Sequence, residues 1–429
     1  MLERTFALQE HGTTVRSELL AGLTTFMTMA YIIFVNPTIL ADTGMDRGAV
    51  FVATCLAAAF GSAMMGLYAN YPVALAPGMG LNAYFTYGVV KGMGHAWETA
   101  LGAVFLSGVL FLIVSLTGIR EWVINAVPRS LKLSIAAGIG LFLAIIGLQS
   151  AGIIAAHPVT LVTLGNLKAP GVLIAAAAFV LMAALDARKV PGAILIGILA
   201  AAVAGIGLGL SKFEGLVSLP PSIAPVLLKL DIVKALEIGA IAIVFTFFFV
   251  DVFDNTGTLV GVAQKAGLVN PDGTLPRVHR ALTADSTAAM AGALLGTSTT
   301  TSYIESAAGV NAGGRTGLVA VTVAVLFLAA LFLSPLAGAI PVFATAPALV
   351  YVACLMMSTV VDIDFSDVTE YVPAVIVIAT MPLTFSIAHG IAFGFIAYTA
   401  IKLLAGRPRD VSPAVAVLSL LFIAKFALL

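Results

Sequence analysis

Between residues 17 and 405, apolar runs of about twenty residues follow one another with only short polar links, and this recurrence restricts the fold more than any other feature. About 20 mostly apolar residues make a helix that crosses a hydrocarbon layer. The runs fall at 17–40, 48–68, 71–90, 97–117, 130–154, 170–186, 190–210, 235–262, 280–296, 298–312, 316–334, 338–360, 370–387 and 389–405. That gives fourteen transmembrane segments and an all-α polytopic membrane protein. A further apolar stretch, 413–428, follows the polar link Gly406-Arg-Pro-Arg-Asp410 and is expected to lie along the interface or against the outside, not as a counted span. Composition agrees: 10% of residues are charged, against roughly 25% in soluble domains, and mean hydropathy is +1.09. The zero net charge gives no footing for nucleic acid. Cys55 and Cys354 both sit in apolar stretches and read as small apolar side chains rather than a disulfide framework or metal site.

The cations orient the chain. With the N-terminus in the cytoplasm and alternation thereafter, the inside-facing segments carry Arg4, Arg16, Arg120, Arg129, Lys132, Arg188, Lys189, Lys265, Arg277, Arg280, Arg315, Lys402, Arg407 and Arg409. The outside loops carry only Arg47, Lys91, Lys168, Lys212, Lys229 and Lys234, and Lys425 lies in the tail. Lys and Arg concentrate on the cytoplasmic side of membrane proteins, so both termini are expected in the cytoplasm and the protein in the cytoplasmic membrane. The loop 361–370 runs against this with four acids, Asp362, Asp364, Asp367 and Glu370, but acids weigh little in that rule. The first fifteen residues are polar and amphipathic, unlike a cleaved leader.

Two segments cannot be continuous helices. The third reads Tyr71-Pro-Val-Ala-Leu-Ala-Pro77-Gly-Met-Gly80-Leu-Asn82-Ala-Tyr-Phe85, and its prolines interrupt helical hydrogen bonding. The tenth reads Gly296-Thr-Ser-Thr-Thr-Thr-Ser302, whose β-branched and hydroxyl residues favour extended chain. Such backbone persists at membrane depth only where protein or a water-filled cavity covers it. Each break precedes a short apolar helix and a polar residue, Asn82 or Glu305, which lie about half the chain apart. Paired broken segments in corresponding positions mark the binding site of many carriers. The chain is therefore read as two seven-segment repeats, 15–210 and 230–405. Because seven is odd, the repeats are inverted.

The chemistry-bearing residues cluster at these breaks. Segment 8 contains Phe245-Thr-Phe-Phe-Phe-Val-Asp251-Val-Phe-Asp254-Asn-Thr-Gly257, and segment 10 contains Tyr303-Ile-Glu305. A charged side chain at mid-membrane costs on the order of 2.5–3.5 kcal/mol on insertion scales, and persists where it faces a cavity, a partner or a substrate. Asp251 and Asp254 share a helix face. Each candidate has a structural alternative: Asp254 as a cap at a helix break, Asp251 as a partner orienting Asp254, Asn82 as a plain N-cap. Glu305, at a helix N-terminus, can accept backbone bonds and face a ligand. Thr300 and Thr301 belong to the strand and line the site at most in part. Phe85 and Phe253 are candidates to stack on a flat base. Asp285 reads as a cap near the cytoplasmic face, and Arg315 as a charge anchor at the cytoplasmic end of segment 11. The five histidines lie in loops or at span edges, away from the acids.

The same residues carry a resemblance. The opening Met1-Leu-Glu-Arg-Thr-Phe-Ala-Leu-Gln-Glu-His-Gly-Thr-Thr-Val-Arg-Ser-Glu18, Ala74-Leu-Ala-Pro-Gly-Met-Gly-Leu-Asn-Ala-Tyr-Phe85, Phe253-Asp-Asn-Thr-Gly-Thr-Leu-Val-Gly261, Tyr303-Ile-Glu-Ser-Ala-Ala-Gly-Val310 and Gly313-Gly-Arg-Thr-Gly-Leu318 resemble the AzgA-like purine permeases, a branch of the nucleobase–cation symporters. The likeness runs essentially end to end. It implies a uracil-transporter-like fold with short antiparallel strands in segments 3 and 10, and a core domain of segments 1–4 (15–117) and 8–11 (235–334). A gate domain of segments 5–7 (130–210) and 12–14 (338–405) would follow, with 406–429 as a tail. It further implies that Asp254, Glu305 and Asn82 occupy the family's binding positions. Asp251 stands where some members have asparagine, and Thr258 stands where some uracil-type relatives carry a histidine. The motif around Asn82 looks more like the guanine/hypoxanthine transporters, and a homodimer is a family expectation.

Together these lead to an expected proton-coupled carrier of purine bases, with no cofactor. Glu305 and Asp254 would hydrogen-bond the base, one of them carrying the proton. A 6-oxopurine presents O6 as acceptor beside N1–H as donor, which an amide such as Asn82 complements, though an amide turned over would suit adenine. The competing classes are an adenine-preferring permease, a channel or facilitator for neutral solutes, an anion exchanger of the same fold and an intramembrane hydrolase. No serine–histidine pair or basic residue in the broken segments favours the last two.

Overall fold

The computed structural model describes residues 2–117, 127–213, 215–268 and 275–428; Arg120, among the cations counted above, lies outside them. Among the described residues, nine helices are long and apolar enough to cross a membrane. Three shorter or more polar helices, Ala193–Gly207, Val278–Leu295 and Val368–Leu383, and the two broken segments complete fourteen. Segment 1 is two helices, Val15–Met29 and Ile32–Ala41, with Ala30 and Tyr31 at the joint. Segment 2 is Arg47–Met64, ending in a π-helical turn, and segment 4 is Trp97–Thr117. Segments 5, 6 and 7 are Arg129–Ser150, Pro170–Ala187 and Ala193–Gly207. Segment 8 is the 28-residue helix Ile238–Lys265, and segment 9 is Val278–Leu295. Segment 11 starts at Leu318–Ala330, and segments 12, 13 and 14 are Val342–Met357, Val368–Leu383 and Ile387–Leu404.

Segments 3 and 10 carry the expected strands. Strand β1, Leu75–Pro77, is followed by the helix Met79–Ala83 and a π-helical stretch Tyr84–Gly92. A hairpin on the loop between segments 5 and 6, β2 (Ile154–His157) with β3 (Leu161–Leu164), was not anticipated from the apolar pattern. Strand β4, Thr300–Ser302, is followed by the helix Ser306–Asn311. Strands β1 and β4 pair antiparallel, Leu75 with Ser302, Ala76 with Thr301 and Pro77 with Thr300. Bonds from Gly78 N to the Thr299 carbonyl (2.9 Å) and from Tyr303 N to the Ala74 carbonyl (3.0 Å) extend the pair. Hydroxyls bind the backbone that three-residue strands leave over: Ala74 N donates to Ser306 Oγ (3.0 Å) and Leu75 N to Ser62 Oγ (2.9 Å). An unpaired backbone group at this depth would cost several kcal/mol.

The helices sort by what they pack against. Segments 1, 2 and 4 lie against 8, 9, 10 and 11, whereas 5, 6 and 7 lie against 12 and 13, and 13 against 14. The two sets touch where segment 8 meets segments 5 and 14, where segment 1 meets 7 and 12, and where segment 3 meets 5. Small residues permit the closest crossings, as is general for helices in membranes. Gly66 and Gly317 stand backbone to backbone, and a Cβ on Gly309 would collide with Thr25 and the Ala21 carbonyl.

The acidic stretch between segments 12 and 13 finds its cations in the last turn of segment 14 and on the loop after it. Asp367 pairs with Arg407 (2.7 Å) and Glu370 with the fully buried Lys402 (2.6 Å), with Ser130 and Tyr398 also donating to Glu370. The tail 413–428 is a helix packed antiparallel on segment 14: Ser419 meets Thr399 (2.7 Å), Phe422 meets Phe395, and Phe426 meets both Phe393 and His389.

Candidate functional site

The strand pair sets the N-termini of two half-helices at its opposite ends. Asn82 follows the Pro77 end of β1, and Glu305 follows the Ser302 end of β4, so the two side chains flank the pair at opposite ends. Strand alternation then divides the hydroxyls. Thr300 fills notches left by Gly61 and Gly292, and Ser302 donates to Asp285 Oδ1 at 3.0 Å, both toward segments 2 and 9. Thr301 turns the other way, beside Gly78 and Asp251 of segment 8. Of the two threonine candidates, Thr301 therefore faces the acids and Thr300 is scaffold.

The acids converge. Asp251 is 1% exposed, and neither carboxylate oxygen has a hydrogen-bond partner of good geometry. Asp285 is not a cytoplasmic cap: it is fully buried within segment 9, held by Ser302 and in electrostatic contact with Asp251 and Asp254. Its place became visible only when β4 folded back onto segment 9. Asp254, one helical turn from Asp251, is exposed near the middle of its helix. Its electrostatic neighbours are Glu305, Asp251, Asp285 and Tyr303. A carboxyl at that depth persists where it faces a cavity, a partner or a substrate.

Glu305 is half-buried. It stands at the N-cap position of its half-helix, but its side chain makes no cap bond. Instead Oε1 accepts from the Tyr31 hydroxyl at 2.6 Å, across from the joint of segment 1. Tyr303, next along, donates to the Pro77 carbonyl at 2.6 Å and locks the strand pair beneath it. Tyr31 and Asp285 were the functional neighbours missed from sequence; a lone tyrosine and a lone aspartate inside otherwise apolar spans were the available signals.

Asn82 is fully buried inside its helix, whose N-cap is Gly78, so it is not a cap. Its Nδ2 donates to Asn36 Oδ1 (3.1 Å), and its Oδ1 has no partner. Phe85 is buried in the apolar core, while Phe253 is partly buried against Phe249. The Lys132 ammonium of segment 5 stands 5.7 Å from the centre of the Phe253 ring, a cation–π contact joining the two helix sets beside Asp254. Arg315 does more than anchor charge: it donates to the Val310 and Gly314 carbonyls (both 2.7 Å), while the buried Glu18 accepts from the backbone of Arg315 and Thr316.

The arrangement offers carboxylates, one uncommitted amide carbonyl and strand backbone around a broken-helix site, the setting in which carriers hold small polar solutes. Known proteins of this build exist. A solved structure titled the transmembrane domain of a cyanobacterium bicarbonate transporter, BicA, aligns with a TM-score of 0.66 over 88% of this chain and 97% of that one. At 17% identity it shows the fold alone: fourteen segments in two inverted seven-segment repeats. Adenine permease AdeP of Escherichia coli (strain K12) is 49% identical over 99% of this chain and 96% of its own. Guanine/hypoxanthine permease PbuO of Bacillus subtilis (strain 168) is 47% identical over 97% and 98%. A profile of the Permease family, Xan_ur_permease, matches residues 16–393, and with these relatives it establishes that the chain belongs to that family, in its AzgA-like branch.

Proposed function

We propose that this chain carries purine bases together with protons across the cytoplasmic membrane, guanine and hypoxanthine first. The observation that carries the reading is the facing of Asp254 and Glu305 across the break in segment 10, with Asn82 at the far end of the same strand pair. The relatives named as adenine and guanine/hypoxanthine permeases support a nucleobase as the solute. The base lies along the strand pair, its polar edge bonded by Glu305, Asp254 and Asn82. One of the two acids takes a proton from the outer side, and base and proton together neutralise the site. Segments 1–4 and 8–11 then move as a core against a gate of segments 5–7 and 12–14. Contacts such as Lys132 on Phe253 form and break at that seam.

Labelled guanine, hypoxanthine, adenine and uracil offered to cells lacking their own carriers test this reading. Accumulation of the oxopurines that collapses with an uncoupler is the expected result. Uptake that ignores the uncoupler would identify a facilitator instead. The 49% identity to an adenine permease favours adenine as the second reading, and the same panel separates the two.

A further inference from the structure

We propose that Asn36 and Thr54, neither of which touches the ligand, fix the Asn82 amide in one orientation, so that Asn82 serves the ligand only as a hydrogen-bond acceptor and selects a base that offers an N–H on its six-membered ring. The proposal rests on the purine reading above and deepens it.

The relay is short and fully buried. Asn82 Nδ2 donates to Asn36 Oδ1 at 3.1 Å. Asn36 Nδ2 donates to Thr54 Oγ1 and Thr297 Oγ1, both at 2.8 Å. Thr54 Oγ1 donates to the Val50 carbonyl at 2.6 Å. Asn36, Thr54, Asn82 and Thr297 are each 0% exposed.

Oxygen and nitrogen of an amide are nearly alike in shape, so the direction of such a chain must come from a group with a single role. The Val50 carbonyl is that group, because it only accepts. Were the Asn36 amide reversed, its oxygen would take the Thr54 proton. Thr54 Oγ1 would then face the Val50 oxygen at 2.6 Å with no hydrogen between them, two acceptors in repulsive contact. The relay therefore runs one way, from Asn82 through Asn36 and Thr54 to Val50. Asn82 Oδ1 is the one atom of the two amides left without a partner.

This overturns the expectation that the Asn82 amide turns over to suit either edge. A ligand N–H satisfies the carbonyl. A lone pair at the same place sets acceptor against acceptor, and a buried unmet group costs about 1–3 kcal/mol, or roughly 5- to 150-fold in affinity. On a 6-oxopurine the matching group is N1–H, and O6 takes its donor elsewhere. Unsubstituted purine, with a bare N1, is the matched wrong ligand.

The test is the ratio of binding constants for hypoxanthine and unsubstituted purine, read by competition for uptake and by ligand-induced thermal shift of the purified protein. Wild type is expected to favour hypoxanthine. Thr54→Val removes the anchor and frees both amides, so the ratio should fall about 5-fold or more. Thr54→Ser keeps the hydroxyl and should restore the wild-type ratio. Thr54→Val added to Asn82→Leu should change nothing further. Asn36→Leu, which leaves the Asn82 amide nitrogen unheld, should lower the ratio as Thr54→Val does. An unchanged ratio in Thr54→Val, or an equal fall in Thr54→Ser, overturns the positioning role. Loss of folding in both Thr54→Val and Asn36→Leu overturns it too, since the contacts would then be structural. Wild-type protein that binds neither base would instead overturn the purine reading and leave no ratio to explain.

Discussion

Glu305 keeps its carboxylate in place through one hydroxyl, Tyr31, rather than through the backbone of its own half-helix. Glu305→Gln preserves size but removes charge and proton, and we expect accumulation of labelled hypoxanthine to be abolished or severely reduced at an unchanged membrane level. Wild-type accumulation would remove Glu305 from the site. Tyr31→Phe deletes a hydrogen bond to a charged acceptor, about 1.5–3 kcal/mol, so initial uptake should fall about 10-fold or more. The two segment-8 acids should separate in the same assay: Asp254→Asn severe, Asp251→Asn milder, because Asp254 is exposed and interacts with Glu305 whereas Asp251 is buried toward Thr301 and Asp285. The reverse order would make Asp251 the ligand and Asp254 its support. Asp254, Glu305 and Asn82 could be singled out in the sequence because a polar residue deep in an apolar segment is costly unless it faces a cavity, a partner or a substrate. Tyr31, Asn36 and Asp285 were not, since each sits in an otherwise ordinary apolar run and gains its role only from a strand or helix far along the chain.

Elements in this bundle are positioned by how closely glycines let them approach. The half-helix Ser306–Asn311 lies on segment 1 with Gly309 against Thr25 and Ala21, and this seating delivers Glu305 to Tyr31. Gly309→Ala should push the half-helix outward and separate that pair. We expect hypoxanthine affinity to weaken while the protein still reaches the membrane; unchanged affinity would show that Glu305 does not depend on this contact. The breaks in segments 3 and 10 were visible from proline and threonine content. The pairing register of β1 and β4 was not, because three-residue strands carry too little side-chain pattern to specify a partner 225 residues away.

At the scale of the molecule, the ion pairs between the acidic segment 361–370 and the end of segment 14 give that segment cations of its own on the side expected to be cation-rich. The Thr369 hydroxyl and backbone N–H, with Arg407, hold the Asp367 carboxyl down to about 2. A carboxyl lowered in this way contributes its full stabilisation above the ordinary range near 4 and loses it only as pH falls through about 2. The Asp367–Arg407 contact is therefore insensitive to physiological acidification. The tail helix is about 24 Å long and lies along segment 14 in the opposite sense, exposing Val417, Leu420, Leu421 and Ile423 on its outer side. An apolar helix so placed beside a spanning one leads us to expect that the tail enters the membrane rather than lying along the interface. We predict that a reporter fused after Leu429 reads outside, whereas one placed after Gly406 reads cytoplasmic. A cytoplasmic signal from both would return the tail to the interface, where the sequence had left it.

Local sequence determined what the bilayer imposes locally: the number of spans, their alternation, the two places where a helix cannot continue, and the acids that must face something other than lipid. Those follow from residue type and run length alone. Tertiary structure decided which strand pairs with which, which acid is exposed and which is buried, and which partner the Asn82 amide meets. Each of these depends on a group from a distant segment, Thr300 for Pro77, Ser302 for Asp285, Asn36 for Asn82, and hydrogen-bond direction is set by the partner rather than by the residue that carries the amide.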